Sequence, residues 1–176
     1  MIRSAVSSDL PVLQQIEIAA GAPFRDIGMS SIADDPPPTL DELEEFLASG
    51  RIFVVADERD HPVAYALVAL VDGCAHVEQI SVHPSHAHQG LGARLLDRIS
   101  AWAGEHALPA LTLTTFVEVP WNAPYYRRLG FRPVSDSEMT PGLSAIRNAE
   151  VRLDAWPRVT MTRPVTPAPH TASKTG

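Results

Sequence analysis

The stretch VHPSHAHQGLGARLL (82–96) sets three histidines and two glycines between an extended run and an apolar run of helical period. Gly90 and Gly92 let backbone N–H groups approach a ligand without side-chain obstruction. N–H groups at a helix start, backed by the favourable end of the helix dipole, suit an anion such as a pyrophosphate. The same glycines could instead only shape a tight turn. The two standard phosphate loops are excluded: a dinucleotide fingerprint needs a third glycine where Leu95 stands, and a Walker A loop needs a lysine, but the chain's one lysine is Lys174. WNAPYYRRLGF (121–131) places Tyr125 and Tyr126 side by side on a short helix; taken alone, Tyr125 packs on Leu129 one turn on and Gly130 stops the helix. AHVEQISVHP (75–84) alternates as a strand with His76, Glu78, Ile80 and Val82 on one face, offering an imidazole and a carboxylate for proton transfer.

Two further features lead elsewhere. His83, His86 and His88 form His-x-x-His-x-His, superficially a zinc pattern. A catalytic zinc site needs three converging ligands with outer support, and three histidines in one turn beside Pro84 read more simply as a polar loop, so no metal is expected. Cys74 follows Asp72-Gly73 with only His76 nearby as a base, a poor setting for a nucleophile.

The elements that must position these residues follow in order. Residues 2–6 read as a strand, and Ser8 or Asp9 caps a helix carrying Leu10, Leu13, Ile16 and Ile18. Residues 21–38, with Pro36-Pro37-Pro38, read as loop with at most a helical turn. Thr39 and Glu42 make a capping box for a helix with Leu40, Leu43, Phe46 and Leu47. Three extended runs follow, 51–58, 63–73 and 75–84, the middle one apolar on both faces as a central strand requires. An amphipathic helix spans 90–106, a strand 109–116, a short helix 121–129, a strand 131–135, a helix 141–153 and a closing strand 157–165. Three strands in succession exclude uniform βαβ alternation. The class is α+β, a mixed, mostly antiparallel central sheet of about seven strands flanked by helices. Residues 1–164 form one domain, and 165–176, rich in Pro and Thr, read as a disordered tail.

Composition narrows the partners. A chain of 176 residues with 45% hydrophobic and 20% charged residues buries one ordinary core without disulfides or structural metal. The net charge of −7 disfavours nucleic acid and anionic membrane surfaces, and no apolar run reaches the roughly 20 residues of a membrane span. The N-terminus lacks a signal-peptide pattern, and a single cysteine fits a reducing cytoplasm, the expected location. Of the 14 basic residues only Lys174 is lysine, so lysine chemistry is absent from the body of the domain.

Together, the two glycine-bearing motifs and the element order resemble the Gcn5-related N-acetyltransferase (GNAT) superfamily. Its signature is a strand, then Arg/Gln-x-x-Gly-x-Gly/Ala opening a helix, then about thirty residues on an Asn-containing segment ending Tyr-x-x-x-Gly-Phe. Here these are Ala87 to Ala93, and Asn122 through Tyr126 to Gly130-Phe131. The departures are Ala87 in place of Arg or Gln and His88 in place of the following glycine. The resemblance implies the acyl-CoA N-acyltransferase fold and acetyl-CoA as cosubstrate. It implies that Ile80, Ser81 and Val82 offer backbone groups to the pantetheine arm, and that His88, Gln89, Gly90, Leu91, Gly92 and Ala93 cradle the pyrophosphate. Asn122 meets the cofactor near its pantetheine, and Tyr126 stands beside the sulfur. Side-chain contacts to phosphate fall to Gln89, His88 or Arg94.

The reaction so implied sets its own demands. An alkylamine of pKa near 10 is only about a thousandth neutral at pH 7, so a proton must leave before or during attack on the thioester. Glu78, directly or through water, is the expected base, with His76 second; Glu78 could instead be a solvated strand residue. The backbone N–H of Val82 or Ile80 serves the oxyanion, and Tyr126 is the acid for the departing thiolate. Phe24, Phe116 and Trp121 are expected as apolar walls for the acceptor, with Glu78 and Glu118 attracting a cationic amine. The expected acceptor is a primary amine of a small molecule; alternatives are a peptide N-terminus or protein lysine, and, in another class, a non-catalytic acyl-CoA sensor. A homodimer stays open.

Overall fold

The computed structural model describes residues 1–166. The strands are β1 (Ile2–Ser4), β2 (Ile52–Ala56), β3 (Pro62–Val71), β4 (Cys74–Val82), β5 (Ala110–Phe116), β6 (Arg132–Pro133) and β7 (Arg158–Pro164). The helices are α1 (Leu10–Gly21), α2 (Pro23–Asp26), α3 (Ser30–Ala33), α4 (Leu40–Ala48), α5 (Leu91–Glu105), α6 (Ala123–Arg128) and α7 (Pro141–Ala149). The strands form one sheet in the order β1-β2-β3-β4-β5-β7-β6, antiparallel throughout except at β4–β5.

The central strands are apolar on both faces because both faces are covered. Ile52, Val54, Tyr65 and Leu67 meet Leu10, Leu13 and Ile16 of α1 and Leu43 of α4. Phe53, Val55, Ala64, Ala66 and Val68 turn the other way, toward Leu91, Leu95, Leu96 and Ile99 of α5. Thr39 closes the expected capping box: its Oγ1 accepts the Glu42 N–H at 3.2 Å and Glu42 Oε2 accepts the Thr39 N–H at 2.7 Å.

β4 departs from simple alternation. Its pairing with β3 runs Leu67↔Gln79 and then Val68↔Val77, so Glu78 is an extra, bulged residue. A bulge shifts the side-chain phase by one. Ala75 and Val77 face α5, as do Ile80 and Val82 beyond the bulge, while His76 points to the opposite face and bonds Thr112. The expectation of one shared face for His76, Glu78, Ile80 and Val82 is therefore corrected. β4 and β5 pair only at Ala75↔Leu111 and His76↔Thr112, although β5 pairs with β7 along its whole length. Past His76 the sheet forks.

Other differences are local. Residues 21–38 hold the short helices α2 and α3, α7 stops at Ala149 before a separate turn at Val151–Leu153, and the strand expected at 131–135 shrinks to two residues. Ile18 is 58% exposed, on the solvent side of α1. Val165 is buried in the α5-side core and donates its N–H to the Pro109 carbonyl, so ordered packing passes the expected boundary at 164. Residues 167–176 of the expected tail lie outside the described residues.

Asp9 holds the N-cap position of α1, but its side chain makes no capping bond to that helix and turns back to the preceding turn instead. Its carboxylate accepts the Val6 N–H at 2.8 Å and two Arg3 bonds at 2.7 and 3.2 Å, stapling β1 to the start of α1. Burial alone would raise its pKa, but the Arg3 and Val6 bonds hold it below the ordinary carboxylate value. The stability gained is full above the unfolded pKa of about 3.9 and is lost as pH falls through the lower folded value. Asp9→Asn is expected to lower unfolding free energy at pH 7 by about 1–3 kcal/mol. In urea melts at a series of pH values, its difference from the wild type should close as the pH falls below the carboxylate range.

Candidate active site

The fork opens into a cleft of about 1620 Å³ walled by Val77–Val82 of β4 on one side and Leu113–Phe116 of β5 with α6 on the other. His83 donates its N–H to Val63 of β3. By antiparallel alternation Ser81 and Gln79, in phase with His83, are the residues that bond β3. The N–H and C=O groups of Ile80 and Val82 are thereby left on the open edge. The Ser81 side chain faces away from the α5 side, toward Glu17.

At one end of the cleft, β4 passes through a turn at Pro84–His86 into α5. Gly90 has φ of +71° and begins the helix without any side-chain cap, and no heavy atom lies within 4 Å of where its Cβ would stand. The N–H groups of Leu91, Gly92 and Ala93 fall in the first turn, which has no intrahelical acceptor for them. His88 has φ of +61°. The left-handed backbone that suits glycine is thus kept by a histidine, at a cost of about 1–2 kcal/mol. His86, His88, Gly90, Leu91 and Gly92 line the cleft, whereas Gln89 and Arg94 are exposed and off its wall. The Nδ1 atoms of His83 and His86 both bond the Ser85 hydroxyl, at 2.7 and 2.9 Å. Among the described residues no group of three or more His, Cys, Asp or Glu could hold a metal ion.

α6 presents Asn122, Tyr125 and Tyr126 to the same cleft. Tyr126 is only 7% exposed, wedged between the rings of Tyr125 and Phe131 at 5.6 and 5.8 Å. Burial, reinforced by Tyr125, pushes its phenol above the ordinary range, so it holds its proton at neutral pH.

Glu78, carried outward by the bulge, stands half-exposed on the β4 wall. Burial first, and then the negative charge of Glu150, raise its pKa above the ordinary carboxylate value. His76 is 2% exposed and does not line the cleft. Its Nδ1 bonds Thr112 Oγ1 at 2.8 Å, its Nε2 lies 3.9 Å from Glu78 Oε2, and burial lowers its pKa to about 4. The structure sets His76 behind Glu78, where an acceptor on the cleft wall does not reach it.

Two groups on the wall were not foreseen. Glu150 is gripped by Arg158 (3.1 Å), Arg147 (3.4 Å) and the Thr114 hydroxyl (2.7 Å), and Arg158 lies 4.4 Å over the Phe116 ring. Glu17 of α1 accepts from Tyr65 (2.9 Å), Gln79 (3.0 Å) and Ser81 (2.5 Å). The mixed charges of residues 147–158 signal ion pairing, but no local spacing announces which strand they meet. Phe24 stacks edge-on with Trp121 (5.3 Å) and Phe116 (6.0 Å), and all three line the cleft. Glu118 lines a separate cavity of about 230 Å³ with Ile27, Met29 and Trp156, so of the two carboxylates expected near an amine only Glu78 faces the cleft. Arg152 binds Asp35 through two oxygens at 3.0 and 3.1 Å, bridging two segments that both line the cleft.

Glu17 supplies a stability test. Burial raises its pKa, with the Ser81 and Tyr65 bonds opposing and Asp35 adding to the rise. A raised carboxyl contributes stability that is full below its unfolded pKa and lost as pH climbs through the folded value. The Glu17 contribution should therefore fall away as pH rises above the unfolded carboxylate value and through the raised folded one, and the difference between wild type and Glu17→Gln in denaturation curves should change with pH across that window.

Residues 20–131 match the family described as Acetyltransferase (GNAT) family. Among solved structures, the ribosomal-protein-S18-alanine N-acetyltransferase from Escherichia coli superposes with a TM-score of 0.65 at 18% identity, covering 97% of both chains. A GNAT-family acetyltransferase from Staphylococcus aureus Mu50 gives 0.72 at 14% identity, over 94% of this chain and 99% of that one. The PaiA N-acetyltransferase from Thermoplasma acidophilum, solved with coenzyme A, gives 0.68 at 12%, over 93% and 98%. At such identities the likeness shows a common fold.

Proposed function

This chain belongs to the GNAT acetyltransferase family, and we propose that it moves an acetyl group from acetyl-CoA directly to a primary amine of a small molecule. The observation that carries the reading is the fork itself: a carboxylate on a bulge and a buried, protonated phenol line one cleft, which also reaches an uncapped, glycine-led helix.

Acetyl-CoA supplies the thioester carbonyl. His88 to Ala93 hold its diphosphate through N–H groups, and Asn122 and the free edge of β4 hold the pantetheine arm. Glu78 takes the proton from the ammonium, directly or through water; its raised pKa brings it nearer the working range of a base. The Ile80 or Val82 N–H donates to the oxygen that becomes negative as the amine adds. Tyr126 then gives its proton to the departing sulfur. His76, neutral and bonded to Thr112, backs Glu78. A small acceptor is supported by the aromatic cluster of Phe24, Phe116 and Trp121 on the cleft wall.

Thiol release from acetyl-CoA over a panel of small amines and peptides tests the reading, with turnover expected on small primary amines. Tyr126→Phe should lower kcat about a hundredfold or more. The kcat/KM profile should rise with pH as Glu78 loses its proton, through an apparent pKa above the ordinary carboxylate range, and Glu78→Gln should abolish that limb. Tight coenzyme A binding without turnover on any amine or peptide would identify a sensor instead. Gly90→Glu should sharply weaken coenzyme A binding in calorimetry by setting a carboxylate against the phosphates; unchanged affinity would place the phosphates elsewhere.

A further inference from the structure

We propose that the Tyr125 hydroxyl is a side-chain ligand of the coenzyme diphosphate, completing the site that the first turn of α5 opens; this rests on the function proposed above. In the sequence Tyr125 is the packing twin of Tyr126, a role its ring alone fulfils by standing edge-on to Tyr126. Phenylalanine would pack as well, so the hydroxyl needs another reason. That oxygen lies 3.0 Å from where a Cβ on Gly92 would stand, close against the first turn of α5. Gly92 is thus required by the approach of α6.

A phenol carries one proton to donate, and Tyr125 lines the cleft into which that proton can point. Burial raises its pKa, so the proton stays on. Other side-chain donors at this end are few. Ala87 stands where the resemblance expects Arg or Gln, His83 and His86 bond Ser85, and Gln89 and Arg94 are off the wall. His88, Tyr125 and Arg128 remain, and the Arg128 guanidinium lies 5.7 Å over the Tyr125 ring. One residue therefore touches both the diphosphate end of the site and Tyr126 at its sulfur end.

The test is coenzyme A binding to the intact protein by calorimetry, with ³¹P spectra of the bound coenzyme. Tyr125→Phe keeps the ring and removes one charge-assisted hydrogen bond, so its Kd should rise about tenfold. The two diphosphate resonances should shift while the 3′-phosphate resonance stays in place, which a general loosening of the fold would not produce. Gly92→Ala, which pushes the hydroxyl off the turn, should raise Kd in the same direction, and the double variant should show less than the sum of the two effects. A Kd within about twofold of the wild type and unmoved diphosphate resonances in Tyr125→Phe, with Gly90→Glu still weakening binding, would overturn the inference and leave the proposed function standing. Undiminished binding by Gly90→Glu would remove the diphosphate from this loop and the inference with it.

Discussion

One inserted residue governs the site. The bulge at Glu78 twists β4 away from β5 just beyond their two paired positions, and a parallel pair that would have continued becomes an open fork. The unpaired edge of β4 keeps hydrogen-bonding groups that a closed sheet would have consumed. The phase shift keeps Ile80 and Val82 in the apolar layer against α5, so the strand bends without losing its core contacts. His76 and Thr112, bonded to each other at the crotch, satisfy the polar groups that the parting strands would otherwise bury unpaired.

The cleft separates its charges by how each is held. Glu150 has two arginines and a threonine, a full complement of donors. Glu78 has no arginine partner and feels the Glu150 charge, so its protonation is easier. Tyr126 is buried with another phenol for company, so its deprotonation is harder. Both shifts come mainly from desolvation, and both are upward. For a carboxyl the shift moves toward neutral pH and suits a base; for a phenol it secures a donor. One cleft thereby shifts a carboxyl and a phenol the same way by the same cause.

The same cleft runs to the start of α5, where Gly90 and Gly92 serve different ends. Gly90 supplies a left-handed backbone and open space, and Gly92 admits the Tyr125 hydroxyl. The close approach of α6 to α5 sets the distance between the first turn of α5 and Tyr126 by direct packing.

Much of this was legible locally. Strand and helix order, the Thr39 capping box, the uncapped glycine start of α5, and the adjacent tyrosines before Gly130 all follow from short-range pattern, because turn geometry, helix period and caps depend on neighbours within a few residues. Sequence alternation misplaced Glu78, because a bulge is decided by the partner strand; nothing in AHVEQISVHP marks which residue will go unpaired. Asp9 stands at the cap position the sequence offers, but Arg3, brought within reach by the fold, takes its carboxylate. Glu150, Arg158 and Glu17 gain meaning only when α1, β4 and the chain after α7 converge, at sequence separations that no motif spans. The chain alone determined which elements form and which carry chemistry, since those depend on local sterics and hydrophobic period. Tertiary structure decided which groups face one another and how strongly each holds its proton, since burial and through-space charge exist only after the chain has folded.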